Sequence, residues 1–138
     1  MSWVYDGSII EEFDPSYVGF VYIIENKINS KKYIGKKLFN FRKTKVVKGK
    51  KKKVLVESDW KQYFGSNSEL NEEVKELGEE NFERKILKFC KSKGECSYFE
   101  AKYQFEFDVL LNPEEYYNSW VMVKVRRSHL SKILNTKY

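Results

Sequence analysis

Histidine occurs once in the 138 residues, proline twice and cysteine twice, so three residue types that often build sites or fix loops are nearly missing. With His129 alone, no histidine cluster can hold a metal or serve a catalytic pair, and a surface position is expected for it. Cys90 and Cys96 stand six apart in "FCKSKGEC", a spacing that fits no common zinc pattern. A disulfide between them stays open, but reduced, partly buried thiols are the expectation for a cytosolic chain. No apolar run approaches the roughly 20 residues that span a bilayer. The opening "MSWVYDGSIIEEFDP" is acidic and has no basic n-region, so a secretory signal is not expected. These absences point to a soluble, cytoplasmic protein with no membrane partner.

Aromatic residues are abundant, at 17% of the chain, and hydrophobic residues make up 41%, enough for a core in which Tyr, Phe and Trp do much of the packing. Trp60 and Trp120 are expected in that core. One domain is the natural reading of this length. The net charge of +6 is segregated. Residues 42–53, "RKTKVVKGKKKK", carry eight cations in twelve positions, whereas 67–80, "NSELNEEVKELGEE", are acidic. A basic stripe suits a polyanion; a solvated Lys-rich loop is the other reading of the same run.

"VGFVYII" is β-branched and aromatic, "ENKINS" has turn chemistry, and "KKYIG" returns, so residues 18–36 predict a hairpin. "TKVV", "KGKK" and "KVLVE" predict a second, basic hairpin turning at Gly49 and projecting into solvent. "SDWKQYF" predicts a helix with Ser58 or Asp59 as N-cap and Trp60 and Phe64 one turn apart. A second helix carries Leu70, Val74 and Leu77 on one face and stops at Gly78. "NFERKILKFC" reads as a strand. Cys96, Phe99, Tyr103, Phe107 and Leu110 fall at helical spacing in a helix closed near Pro113. The tail suggests one more strand and a short helix. The class is α+β: a small, mainly antiparallel three-stranded sheet flanked by helices in the order β-β-α-α-β-α, with a basic insertion hairpin.

At these residues the chain resembles the GIY-YIG nucleases. "GFVY" puts Tyr22 at the first motif tyrosine, "YIG" spans Tyr33 to Gly35, and the two tyrosines are eleven apart, as is usual in the family. "WKQYF" resembles the family's first helix, with Tyr63 at a His/Tyr position. "YFEAKYQFEF" resembles the later helix whose single acidic residue holds a metal, here Glu100. "YYN" offers Asn118 for a closing Asn, and Lys36 matches the lysine of "YxGK" members. The resemblance covers most of 19–118. It implies one nuclease domain over 1–138, with a core at about 18–118, a basic insertion at about 37–57 and an extension at 119–138. One departure stands out: the family's helix arginine falls on Asp59, leaving Arg42, Lys43 or Lys61 as replacement cations, of which Arg42 is taken here.

The resemblance implies a divalent-metal-dependent endonuclease acting on double-stranded DNA in the cytoplasm of a bacterium or phage-infected cell, with Mg²⁺ or alternatively Mn²⁺. Glu100 would hold the metal, since Mg²⁺ keeps most of its waters and needs few protein oxygens. Tyr22 would be the base or its partner, Tyr33 would orient water or phosphate, and Tyr63 would assist. A phenol with a pKa of about 10 needs nearby cations to act as a base, and Lys36 is expected to supply one. Lys43, Lys45, Lys48, Lys50, Lys51, Lys52 and Lys53 would contact phosphates, giving affinity without sequence information. A homodimer is compatible with this reading. Three others stay open: a binding module without catalysis, a protein-interaction or inhibitory factor, and an RNase using the same residues.

Overall fold

The computed structural model describes residues 2–137, so Tyr138, the last residue of the expected extension, lies outside them. Seven strands and three α-helices follow in chain order: β1 Trp3–Tyr5, β2 Ser8–Ile10, β3 Gly19–Asn26, β4 Lys32–Leu38, β5 Asn40–Val47, β6 Lys50–Glu57, α1 Ser68–Leu77, β7 Phe82–Cys90, α2 Lys93–Glu106 and α3 Ser131–Lys137. Five strands form one sheet in the order β2-β1-β7-β3-β4, and β5-β6 form a separate ribbon.

The α+β class therefore holds, but the sheet has five strands rather than three. It is mixed rather than wholly antiparallel, because β1 runs parallel to β7 through Val4 and Lys85. The two unexpected strands close over Asp6 and Gly7, whose φ angles of 49° and 82° match a two-residue turn of the kind Asp-Gly favours. They carry Trp3 into the core, where it is 1% exposed, so the core starts well before residue 18. The expected helix at "SDWKQYF" is only a 3₁₀ turn, Trp60–Gln62, after which Tyr63 is extended. Trp3 reaches into this turn: its Nε1 donates to the Trp60 carbonyl at 2.6 Å, which also accepts from Tyr63 N–H at 3.4 Å.

The basic ribbon is paired from Asn40↔Glu57 to Val47↔Lys50 and turns at Lys48-Gly49, as expected. It starts at Asn40 rather than at 37, because residues up to Leu38 still pair with β3. Helix α2 ends at Glu106, short of Pro113, and Phe107 and Leu110 are exposed. No strand forms in 119–126; the tail holds a 3₁₀ turn, Arg127–Leu130, and then α3. Trp60 is fully buried, but Trp120 is 67% exposed, against expectation. Cys90 and Cys96 are both buried free thiols, and His129 is exposed.

Strand β3 is buried on both faces because the two sides of the sheet have separate cores. Phe20, Tyr22 and Ile24 join Trp3, Phe39, Trp60, Phe64, Leu70 and Phe82 on one side. Val21 joins Ile34, Cys90, Cys96 and Val109 on the side covered by α2. This period-two split fixes which face each motif residue occupies.

Tyr22 lies directly opposite Gly35 across β3 and β4. A Cβ on Gly35 would come within 2.7 Å of Tyr22 Cζ and 3.0 Å of Tyr33 Cε2. The tyrosine ring thus fills the space that any other side chain would need. A register shift between β3 and β7 at Val21/Tyr22 turns the strand at this point. Gly35→Ala is expected to cost about 1–3 kcal/mol by overpacking, read as a lower urea midpoint at unchanged slope; an unchanged midpoint would show that the ring is not held against the strand.

Candidate active site

β4 is an edge strand, and its outer side is sealed over only part of its length. Lys32 N–H donates to the Glu115 carbonyl and Tyr117 N–H to the Lys32 carbonyl, both at 2.8 Å. Asn118 then engages both backbone groups of Ile34: its Oδ1 accepts from the N–H at 3.0 Å and its Nδ2 donates to the carbonyl at 2.8 Å. Gln104 Nε2 donates to the same carbonyl at 3.0 Å. Beyond Ile34 the cover stops and a cavity of about 520 Å³ opens. Because it lies at an edge, both faces of the sheet supply its walls. Tyr33 comes from one face, Lys36 and Glu100 from the other, and Ser66 and Trp120 close it.

Tyr33 Oη is hydrogen-bonded to Ser66 Oγ at 3.0 Å. The Ser66 loop is itself fixed: Asn71 Nδ2 donates to the Gly65 carbonyl at 3.1 Å, and Asn67 Oδ1 caps α1 by accepting from Leu70 N–H at 2.9 Å. Behind Tyr33 stand two more phenols. The Tyr22 ring is 6.3 Å from that of Tyr33 and 6.0 Å from that of Tyr63. Tyr22 is fully buried, and its hydroxyl meets no partner at ordinary hydrogen-bond geometry. Burial, then the charges of Tyr63 and Tyr33, push its pKa well above 10. Burial also raises that of Tyr33, with the Ser66 hydrogen bond opposing.

The expectation that Lys36 lowers the phenol pKa is therefore corrected. Lys36 leaves β4 on the face opposite Gly35, and its Nζ lies 3.8 Å from Glu100 Oε1 and donates to Ser97 Oγ at 2.8 Å. Glu100 is the carboxylate of the cavity, with 17% of its side chain exposed. Burial raises its pKa above the ordinary carboxylate value, with the Lys36 charge and backbone N–H opposing.

Arg42 does not join this group. It sits exposed on the ribbon opposite Leu55 and lines a different cavity with Tyr17, Leu38 and Lys93. The Lys-rich ribbon is likewise a sheet apart. A cation that does approach a motif phenol, Tyr63, is Lys37, which no motif singled out. Its Nζ is 4.0 Å from the centre of the Tyr63 ring and 2.7 Å from Asp59 Oδ1. Asp59, where the family has arginine, thus holds a cation in place, and that hydrogen bond holds its own carboxyl below the usual range. Lys61, the other candidate, lies over the Trp60 ring at 5.7 Å. Arg84, also unforeseen, is 3% exposed and fixes the Tyr63 segment: its guanidinium donates to the Lys61 and Tyr63 carbonyls at 2.9 Å and stacks on Phe64 at 4.2 Å.

Asn118 lines the cavity, yet both ends of its amide are spent on Ile34, so its geometry is that of a positioning residue. Ser97 and Gln104 were legible as the positions three before and four after Glu100 on one helix face. Nothing in the local pattern marked Ser66.

The chain matches the family model described as "Putative endonuclease segE, GIY-YIG domain" over residues 3–121. It belongs to the GIY-YIG nuclease family. No curated protein and no solved structure matches it.

Glu100 also sets a pH dependence of stability. Its folded pKa lies above its unfolded value, so just above pH 4.5 the folded state binds more protons than the unfolded one, and stability falls as pH rises through that window. Glu100→Gln, which removes the buried charge, is expected to raise the urea midpoint at pH 7 and to lose that advantage as the pH drops below about 4. A variant less stable than wild type at pH 7 would mean that the pairing with Lys36 outweighs burial.

Proposed function

We propose that this chain is a divalent-metal-dependent DNA endonuclease. The observation that carries the reading is the convergence of Tyr33, Lys36 and Glu100 on one open cavity at the edge of β4, in a chain of this family. Phosphodiester hydrolysis calls for a nucleophilic water, an offset to charge on the phosphoryl oxygens, and help for the leaving oxygen.

The donor set fits a hydrated Mg²⁺, or Mn²⁺. Among the described residues no group of three His, Cys, Asp or Glu could hold a metal ion, which argues against a closed protein cage. A single desolvated carboxylate facing an open cavity suits an ion that retains waters and shares substrate oxygens. When bound, that ion supplies positive charge to the phosphoryl group and acidifies water. Glu100 is the residue that would hold it.

The remaining roles follow from burial. Tyr22 and Tyr33 are held neutral at pH 7, which suits them as hydrogen-bond donors rather than bases. Tyr33, the phenol at the cavity, donates to the phosphate or to the attacking water; Tyr22, sealed behind it, fixes its position. Lys36, beside Glu100, opposes the burial of its charge and would offer a cation to the phosphate. Lys37, held by Asp59 beside Tyr63, takes the place of the arginine expected at position 59. The ribbon lysines bind phosphates outside the chemistry. They point from both faces: Arg42, Lys51 and Lys53 from one, Lys43, Lys45, Lys50 and Lys52 from the other.

The decisive experiment is relaxation of supercoiled plasmid with Mg²⁺ or EDTA, by wild type and Glu100→Ala. Cleavage that needs the ion and is abolished in the variant is expected. DNA binding without cleavage at any metal concentration would instead favour an inactive binding module on the same fold. A second readout does not depend on turnover: Mg²⁺ should raise the melting temperature of wild type but not of Glu100→Gln. Replacing Lys43, Lys45, Lys50 and Lys52 by Gln should flatten the dependence of log affinity on log salt by about 0.9 for each phosphate no longer neutralised. A slope that does not change would remove the ribbon from the DNA interface.

A further inference from the structure

The cavity has one wall that the chemistry above does not use. Residues 119–126 run without helix or strand past its mouth, and only Val121 and Val125 among them are partly covered. Val121 turns inward and packs on the α2-side core. Trp120 and Met122 turn outward, 67% and 73% exposed, and both line the cavity with Tyr33, Lys36 and Glu100. Lys124 and Arg126, further along the same segment, are exposed as well. The other two tryptophans, Trp3 and Trp60, are 1% and 0% exposed. The chain thus places its single exposed indole beside the candidate catalytic groups and follows it with two cations.

We propose that Trp120 is a stacking platform for one nucleobase of the DNA strand being cut. The base is that of the nucleotide next to the phosphate in the cavity, unstacked from its neighbour. Met122 packs beside it, and Lys124 and Arg126 take the phosphates that lead away. The proposal rests on the endonuclease reading for the location of the phosphate. Its chemistry is that of single-strand binding surfaces, in which an aromatic face accepts any base and a cationic track follows the backbone. An open aromatic face at the rim of a polar cavity would be poorly placed as core, and Trp120 indeed joins neither core cluster. The cost of opening the base step falls at flexible pyrimidine–purine steps, so the platform would bias cutting toward them.

Trp120 can be watched directly, because the core seals the other two indoles. Acrylamide quenching of tryptophan emission in EDTA, with and without a short DNA oligonucleotide carrying an unpaired base, reads its accessibility without any cleavage. DNA is expected to protect Trp120 from the quencher. Trp120→Ala should weaken binding about tenfold while leaving the salt slope unchanged, and Trp120→Phe should restore most of the affinity. Unchanged quenching on saturation with DNA would overturn the proposal, as would Trp120→Ala binding like wild type, or protection by RNA but not by DNA. The two readings fail separately. A protein that cuts plasmid with an unprotected Trp120 loses only the platform. One that protects Trp120 yet never cuts, with any metal, loses only the catalysis.

Discussion

The packing of the Tyr22 ring onto Gly35 is the constraint on which the rest of the site depends. It makes the two halves of the motif one device: a tyrosine on β3 reaches across its neighbour because the residue opposite has no side chain. A slip of one residue would set Tyr22 against Ile34 or Lys36 and send its side chain to the other face of the sheet. The hairpin turn guards against such a slip. Buried Asn26 accepts from Ile28 N–H with its side chain at 3.0 Å, and its backbone N–H donates to the Lys31 carbonyl at 2.8 Å. With register fixed there, Tyr33 and Lys37 must share the Tyr22 face, and Lys36 must leave by the other.

From this arrangement the electrostatics follow. A phenol sealed under aromatic rings does not readily ionise, so the burial that secures the geometry also raises the pKa of Tyr22. The negative charge of the site falls to Glu100, which α2 holds at the strand edge with Lys36 and Ser97. Opposed pulls act on that carboxylate, burial raising its pKa and the lysine lowering it. A carboxylate under such opposed pulls at the mouth of a cavity is where a functional group is to be sought.

Strong periodicity made much of this legible. The β3–β4 hairpin, α1 with its Gly78 stop, β7 and the basic ribbon all follow from local pattern, and Tyr22, Tyr33, Lys36 and Glu100 from motif spacing. Misses came where a distant residue overrode local preference. "SDWKQYF" has helical spacing, but the segment packs against Trp3, fifty-seven positions away, whose indole donates to the Trp60 carbonyl, and it forms only a 3₁₀ turn. The β1–β2 hairpin was readable from Asp6-Gly7 between β-formers, and its three-residue strands hid it. Asp59 looked like a missing cation because charge alone does not reveal what a carboxylate holds; the partner, Lys37, lay in the alternation of β4 all along. Trp120 illustrates the limit of hydrophobicity as a guide to burial, since its surroundings decide whether an indole is core or surface.

The basic ribbon has its own physics. A two-stranded ribbon is marginal in water, and this one sets Lys45 directly opposite Lys52, a like-charge pair that weakens it further. Its apolar pairing lies near the root, at Phe41↔Val56, next to the sheet domain. There Ser58 N–H donates to the Phe39 carbonyl at 2.7 Å and its hydroxyl to the Leu38 carbonyl at 2.6 Å. The arm is therefore anchored at its base and strained by its own charge toward its tip. A polyanion laid along such an arm would relieve that repulsion, which is the physical ground for the phosphate contacts proposed for it. Cations occupy both faces of the arm, whereas Phe41, Val54 and Val56 share one face near its root, so packing holds the base and charge marks the rest.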